Sequence, residues 1–174
     1  MPNETLMLYK LIILYILDNV DYPLTNNRLT EFILERQYTN DFNVQQALAQ
    51  LVEDGYVSSE YSRHTTSYQI TSSGGQVLSL FLMDLNPSIR KDIDVYLKDH
   101  SYVLREEASY PADYEKTPAG DYITRLKILE RNQPVFEVHL SVASEEDAIR
   151  VCDKWEQNNA DLYRYAVSKL LENK

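Results

Sequence analysis

Residues 6–17 limit what this chain can fold into more than any other feature of its sequence. Wound into a helix, Leu6, Met7, Leu8, Leu11, Ile12, Ile13, Leu14, Ile16 and Leu17 leave it apolar on nearly every face, with Lys10 the interruption. Such a helix must be covered on all sides. It is too short for a membrane span, which takes roughly 20 residues, so it reads as a buried core helix and no membrane partner is expected. Pro2, Asn3 and Glu4 supply no basic leader and no small-residue cleavage site comes after them, which argues against a signal peptide. An N-terminal domain of some 80 residues has few elements to surround this helix. Part of the cover is therefore expected from a partner subunit or a second domain, and the chain is expected to be a homodimer.

The rest of the N-terminal part keeps a helical period. Asp21, Tyr22 and Pro23 end the first helix, and a second starts near Thr25 or Asn26, whose side-chain oxygens can cap it. Leu29, Phe32 and Ile33 form its buried stripe. Asn43 and Gln46 have capping-box spacing, with Phe42 and Ala47 at the staple positions of a third helix. Val44, Ala47, Leu48, Leu51 and Val52 then recur at three- and four-residue intervals, and Gly55 is placed to close that helix in the left-handed conformation. Residues 56–61 and 67–70 are β-prone around a polar stretch, which predicts a hairpin with a flexible tip. Thr71 can cap a further helix carrying Val77, Leu78, Phe81 and Leu82. The expected order is three helices, a hairpin and a helix.

Asn86 and Pro87 mark a boundary, giving a domain at 1–86 and another at 87–174. Ile89, Ile93, Tyr96 and Leu97 suggest a helix, after which the period shortens to two. Residues 110–116 look extended. Tyr122, Thr124, Leu126 and Ile128 alternate on one strand and Phe136, Val138, Leu140 and Val142 on another, joined by a turn at residues 131–134. Ser144 with Asp147 makes a second capping box ahead of a helix burying Ala148, Val151, Cys152 and Trp155, and a last helix carries Leu162, Ala166, Val167 and Leu170. The fold class expected is α+β, with the second domain a small antiparallel sheet backed by helices. With 44% hydrophobic and 25% charged residues, the composition is that of a folded chain. Cys152 is the single cysteine, so no internal disulfide can form, which fits a cytoplasmic location.

The third helix and the segment after it carry the specific signal. The capped amphipathic helix, then residues 51–57 with Gly55, then a hairpin, resemble the recognition helix and wing of winged helix-turn-helix transcriptional regulators. The Thr71, Ser72, Ser73, Gly74 start of the next helix, with Leu78 and Phe81 after it, is similar too. Across nearly the whole chain the sequence resembles a bacterial family of unknown function with an N-terminal winged helix. The resemblance implies DNA as partner. The outward face of the third helix, Asn43, Gln45, Gln46, Ala49 and Gln50, would meet base edges, since Asn and Gln can bond adenine bidentately. Phosphate contacts would fall to Asn26, Asn27 and Arg28, to Asn40, and to Arg63, His64, Thr65 and Thr66 in the wing.

Charge opposes this. The chain carries a formal -10, and residues 1–86 hold 4 Lys and Arg against 10 Asp and Glu, the remainder 13 against 17. Between Asn40 and Tyr61 there is no Lys or Arg, while Asp41, Glu53, Asp54 and Glu60 are there, so few phosphates could be neutralised and DNA binding is expected to be weak.

No catalytic or metal-binding residues and no cofactor are expected. His64, His100 and His139 are scattered without ligand spacing, and Cys152 sits on an inward stripe with no nucleophile motif around it. Gly74 and Gly75 lack the spaced glycines and lysine of a phosphate-binding loop. Tyr61, Tyr68, Tyr110, Tyr114 and Tyr122 read as half-buried strand residues, with a ligand cavity or interface as the other use of so many phenols. The reading is a dimeric transcriptional regulator whose second domain dimerises or senses a small-molecule or protein effector. Its rival is an acidic winged-helix module that binds another protein and no nucleic acid.

Overall fold

In a computed structural model describing residues 2–63 and 65–172, the apolar run becomes helix α1 (Pro2–Asp18). Its Leu11, Ile12, Ile13, Leu14, Ile16 and Leu17 are each at most 2% exposed. The chain divides into two compact units, Met1–Leu104 and Arg105–Lys174, and α1 belongs to the first. Helices α2 (Asn26–Glu35), α3 (Asp41–Glu53) and α4 (Ser72–Phe81) come after it, with strands β1 (Leu24–Thr25), β2 (Val57–Ser62) and β3 (Thr65–Ile70) between them. α3, α4 and β3 pack on α1. The cover expected from a partner subunit or a second domain thus comes from within the first unit, because the hairpin and α4 close the sides that α3 leaves open.

The three short strands form an antiparallel sheet in the order β1-β3-β2, with Val57 opposite Ile70 and Ser62 opposite Thr65. Up to α4 the first unit thus runs helix, short strand, helix, helix, hairpin and helix. Backbone chemistry sets its corners. Gly55, at φ 74°, donates its N–H to Val52 O at 3.1 Å and Tyr56 donates to Leu51 O at 2.9 Å, the double bond that ends a helix on a left-handed residue. Thr71 caps α4 by accepting from the Gly74 N–H at 3.1 Å, and its hydroxyl donates to Gly55 O at 2.7 Å, which ties the end of the hairpin to the end of α3. Gly74 is required there, since a Cβ would lie 2.1 Å from the Tyr56 carbonyl oxygen.

Asn86 and Pro87 open helix α5 (Pro87–Ser109), and the Asn86 side chain accepts from the Ser88 N–H at 2.9 Å. The compact units divide later than residue 86, because the first part of α5 packs within the first unit. Tyr96 is 4.7 Å from Phe32 between ring centroids, and Asp92 and Asp94 accept from the Tyr38 and Tyr15 hydroxyls at 2.8 and 2.9 Å.

The second unit is an antiparallel sheet, order β4-β5-β6, of β4 (Ala112–Lys116), β5 (Tyr122–Glu130) and β6 (Gln133–Val142), with helix α6 (Glu145–Leu170) on one face. The β5–β6 turn is two residues, Arg131 and Asn132, both at positive φ; it is tighter than the four-residue turn expected because that pairing matches strand twist. Leu126, Ile128, Cys152 and Trp155 form the core, and the Trp155 indole donates to Lys127 O at 3.1 Å. Ser144 caps α6, its hydroxyl accepting from the Asp147 N–H at 3.2 Å. The two helices expected after residue 144 are one. Asn159 lies buried and its amide donates to Trp155 O at 3.0 Å and Glu156 O at 2.8 Å, so the polar stretch around it continues the helix instead of ending it. Six α-helices and two three-stranded antiparallel sheets among the described residues make the fold α+β. No helix among them is long and apolar enough to cross a membrane.

Candidate nucleic-acid interface

α3 owes its orientation to one buried stripe, Val44, Ala47, Leu48 and Leu51, all at most 1% exposed. Its N-terminus is set by Asn40, whose side-chain oxygen accepts from the Asn43 N–H at 3.0 Å. The cap therefore lies three residues before Asn43, which with Gln46 suggested a capping box. Asn40 serves as the cap, with its Oδ1 engaged in that role.

The polar residues expected on the outward face separate into two groups. Asn43 donates its amide to the Thr39 hydroxyl at 2.8 Å, and Gln45 reaches Asp41 Oδ1 at 3.3 Å and the Thr30 hydroxyl on α2 at 3.5 Å. These two amides hold α3 to its own first turn and to α2. Gln46 and Ala49 are exposed and Gln50 is half-buried, so they form the surface facing away from the core.

Two neighbours on that surface were not among the expected contacts. Phe42 is 74% exposed, with Ala47 fully buried on the opposite side, so the two form no hydrophobic staple. Glu53 is exposed two turns on from Gln46. The signal was present: 42, 46, 49 and 53 are spaced by four, three and four, one face of a helix.

The remaining phosphate candidates stand on α2 and in the hairpin. Asn26 is half-buried, its side-chain oxygen shielded and without a hydrogen-bond partner among the described residues, and Asn27 is exposed. Arg28 sits in the first turn of α2, where Thr25 caps by accepting its N–H at 3.3 Å; its guanidinium pairs with Glu31 at 3.0 Å. In the hairpin, Arg63 holds φ at 47° in the turn, and Thr65 and Thr66 are half-buried opposite Ser62 and Tyr61. His64 lies outside the described residues. α3 thus presents Gln46 and Gln50, while Arg28 and Arg63 come from α2 and the hairpin.

Acidic groups dominate the surroundings. Asp41 and Glu53 are exposed at the two ends of α3, and Asp54 just beyond pairs with Lys10 at 3.6 Å. Residues 1–104 carry 7 Lys and Arg against 13 Asp and Glu. Desolvation pushes the Tyr38 hydroxyl up to about 12, aided by its bond to Asp92; the same causes raise Tyr15 beside Asp94, and burial raises Tyr68 on β3. The other titratable candidates are tied locally. His100 stacks on Tyr96 at 4.3 Å, His139 meets Glu137 at 2.6 Å, and Cys152 is buried against the sheet. Among the described residues no three His, Cys, Asp or Glu converge as a metal ion would require.

A family described as "Domain of unknown function (DUF4364)" matches residues 9–170, which takes in nearly all of both units. The chain belongs to the DUF4364 family. The resemblance to a family of unknown function over nearly the whole chain is met in that match, whose description names neither a winged helix nor a regulator. No curated protein and no solved structure matches this DUF4364 chain.

Proposed function

We propose that the first unit is a DNA-binding winged helix and that the chain acts as a dimeric transcriptional regulator, its second unit joining the copies or taking a small-molecule or protein effector. The observation that carries this is the uncovered face of α3: a helix capped at both ends, buried along one stripe, with Gln46 and Gln50 left outward and the β2–β3 hairpin packed after it. A glutamine amide can donate to N7 and accept from N6 of adenine, so this face has the chemistry to read A·T steps in a major groove. Phosphate contacts are assigned to Arg28 and Arg63, while Asn43 and Gln45 act as positioning residues through their bonds to Thr39, Asp41 and Thr30.

A second reading has its own support. The phenyl ring of Phe42 at 74% exposure, flanked by Asp41, suits a protein partner better than a phosphate backbone, and the unit's surplus of acids repels polyanions. Fluorescence anisotropy of the full chain against DNA from upstream of its own gene, repeated across a salt series, separates the two. Sequence-preferring binding that Gln46→Ala alters supports the regulator. Absence of binding at low salt supports the protein-binding module.

A further inference from the structure

α6 buries Ala148, Cys152, Trp155 and Asn159 at no more than 4% exposure, with alternating spacings of four and three. Continued along the helix, that stripe passes through Leu162, Tyr163, Ala166 and Leu170. The cover does not continue with it. Tyr163 still meets Phe136 of β6 at 5.5 Å, but Leu162 is 47% exposed and Leu170 is 81% exposed, with Tyr165 and Leu171 bare on either flank. One apolar stripe thus rests on its own sheet for its first half, while in its last turns Ala166 is half-buried and the leucines on either side of it are exposed.

We infer that a second copy of the chain covers it, the two α6 ends crossing antiparallel at Ala166. The spacing is self-complementary. Leu162 and Leu170 lie four residues to either side of Ala166, so a two-fold axis at that residue brings Leu162 of each copy onto Leu170 of the other, as an isologous contact requires. The small side chain at the centre allows close approach of the backbones, and rows at four-residue spacing interdigitate in the commonest class of helix packing.

Charge points to the same surface. The whole chain carries -10, yet residues 157–172 hold Arg164 and Lys169 against Asp161 and Glu172, so two copies can meet there without the repulsion they feel elsewhere. The exposed leucines and tyrosines of the stripe and its flanks offer at most on the order of 600 Å² per copy, the lower end of the about 600–1,000 Å² per partner that stable interfaces bury, so the pair is expected to be small and concentration-dependent. The inference gives the dimer of the proposed function its interface, and rests on that dimer but not on DNA binding.

Sedimentation velocity of the full chain over a wide concentration series tests it, together with cysteine crosslinking on the background of buried Cys152. The wild type is expected to sediment as a dimer and Leu170→Glu as a monomer with unchanged far-ultraviolet circular dichroism, because Leu170 takes no part in the core. Ala166→Cys is expected to crosslink with itself on oxidation. Leu162→Cys and Leu170→Cys chains should crosslink when mixed and neither alone, which an antiparallel pair requires and a parallel one forbids. A monomeric wild type overturns both the dimer and this interface. A dimer that survives Leu170→Glu, or self-crosslinking by Leu162→Cys, overturns the interface and leaves a dimeric regulator standing.

Discussion

The salt dependence of DNA binding puts a number on how few phosphates this surface can engage. Arg28 on α2 and Arg63 in the hairpin are the cations to which phosphate contacts are assigned, two per copy and four in a dimer, and Arg28 pairs with Glu31 at 3.0 Å. Each neutralised phosphate contributes a slope of about -0.9 to log K against log salt, so four give about -3.6. Between about 50 and 200 mM salt, affinity should then fall by roughly 150-fold, at the shallow end for a specific DNA-binding protein. Arg63→Ala removes one cation per copy, which halves the slope to about -1.8 and cuts the loss over the same range to roughly 12-fold, for every sequence alike. Gln46→Ala should leave the slope untouched and cost about 1–3 kcal/mol of preference at the A·T pair it reads. The assay is anisotropy with a cognate and a scrambled duplex at several salt concentrations. A slope that Arg63→Ala leaves unchanged would refute the assignment of phosphate contacts to the hairpin, and a scrambled duplex bound as tightly as the cognate would refute base reading by α3.

Three further outcomes test the packing. Ile13 is fully buried in α1 with cover from within its own unit, so Ile13→Ala should lower unfolding stability by about 2–5 kcal/mol in urea at any protein concentration; a loss that vanished on dilution would mean that a partner subunit supplies the cover. Gly74→Ala drives a Cβ to 2.1 Å from the Tyr56 carbonyl, which also accepts the Thr71 N–H at 3.1 Å and cannot retreat, so melting temperature should drop sharply. Gly75→Ala meets nothing closer than Asp18 Oδ1 at 3.7 Å and should be neutral or stabilising by up to about 1 kcal/mol; equal effects at the two glycines would contradict the hairpin–α4 geometry. Tyr38 is raised from 10.0 to about 12 in the folded chain, so it holds its proton where the unfolded chain releases it. Its contribution is whole below pH 10 and is lost as pH climbs towards 12; Tyr38→Phe should flatten that part of the stability curve, and an unchanged alkaline limb would exclude the Tyr38–Asp92 bond as its cause.

Local chemistry was legible in the residues themselves. The all-round apolar run at residues 6–17 required a buried helix, the Val44–Leu48–Leu51 spacing required a stripe, Gly55 stops α3, Thr71 and Ser144 cap, and the alternation at 122–130 makes a half-buried strand. Each depends on atoms within one or two turns of chain, which periodicity and capping report directly. What covers a face depends on residues far away in sequence, and there the chain alone was silent. It could not tell that α1 is enclosed within its own unit, or that the first part of α5 packs beside Phe32 and Tyr38. The same holds for side chains that choose between solvent and a neighbour. Asn43, Gln45 and Gln46 look alike as polar residues on one helix, yet Thr39, Asp41 and Thr30 take the first two amides and leave the third outward. Asn159 likewise reads as a helix break until burial turns its amide back onto Trp155 and Glu156, which carries α6 on past its sheet. Sequence periodicity determined which residues avoid water; tertiary packing decided what they meet instead, because burial depends on contacts that no local spacing encodes.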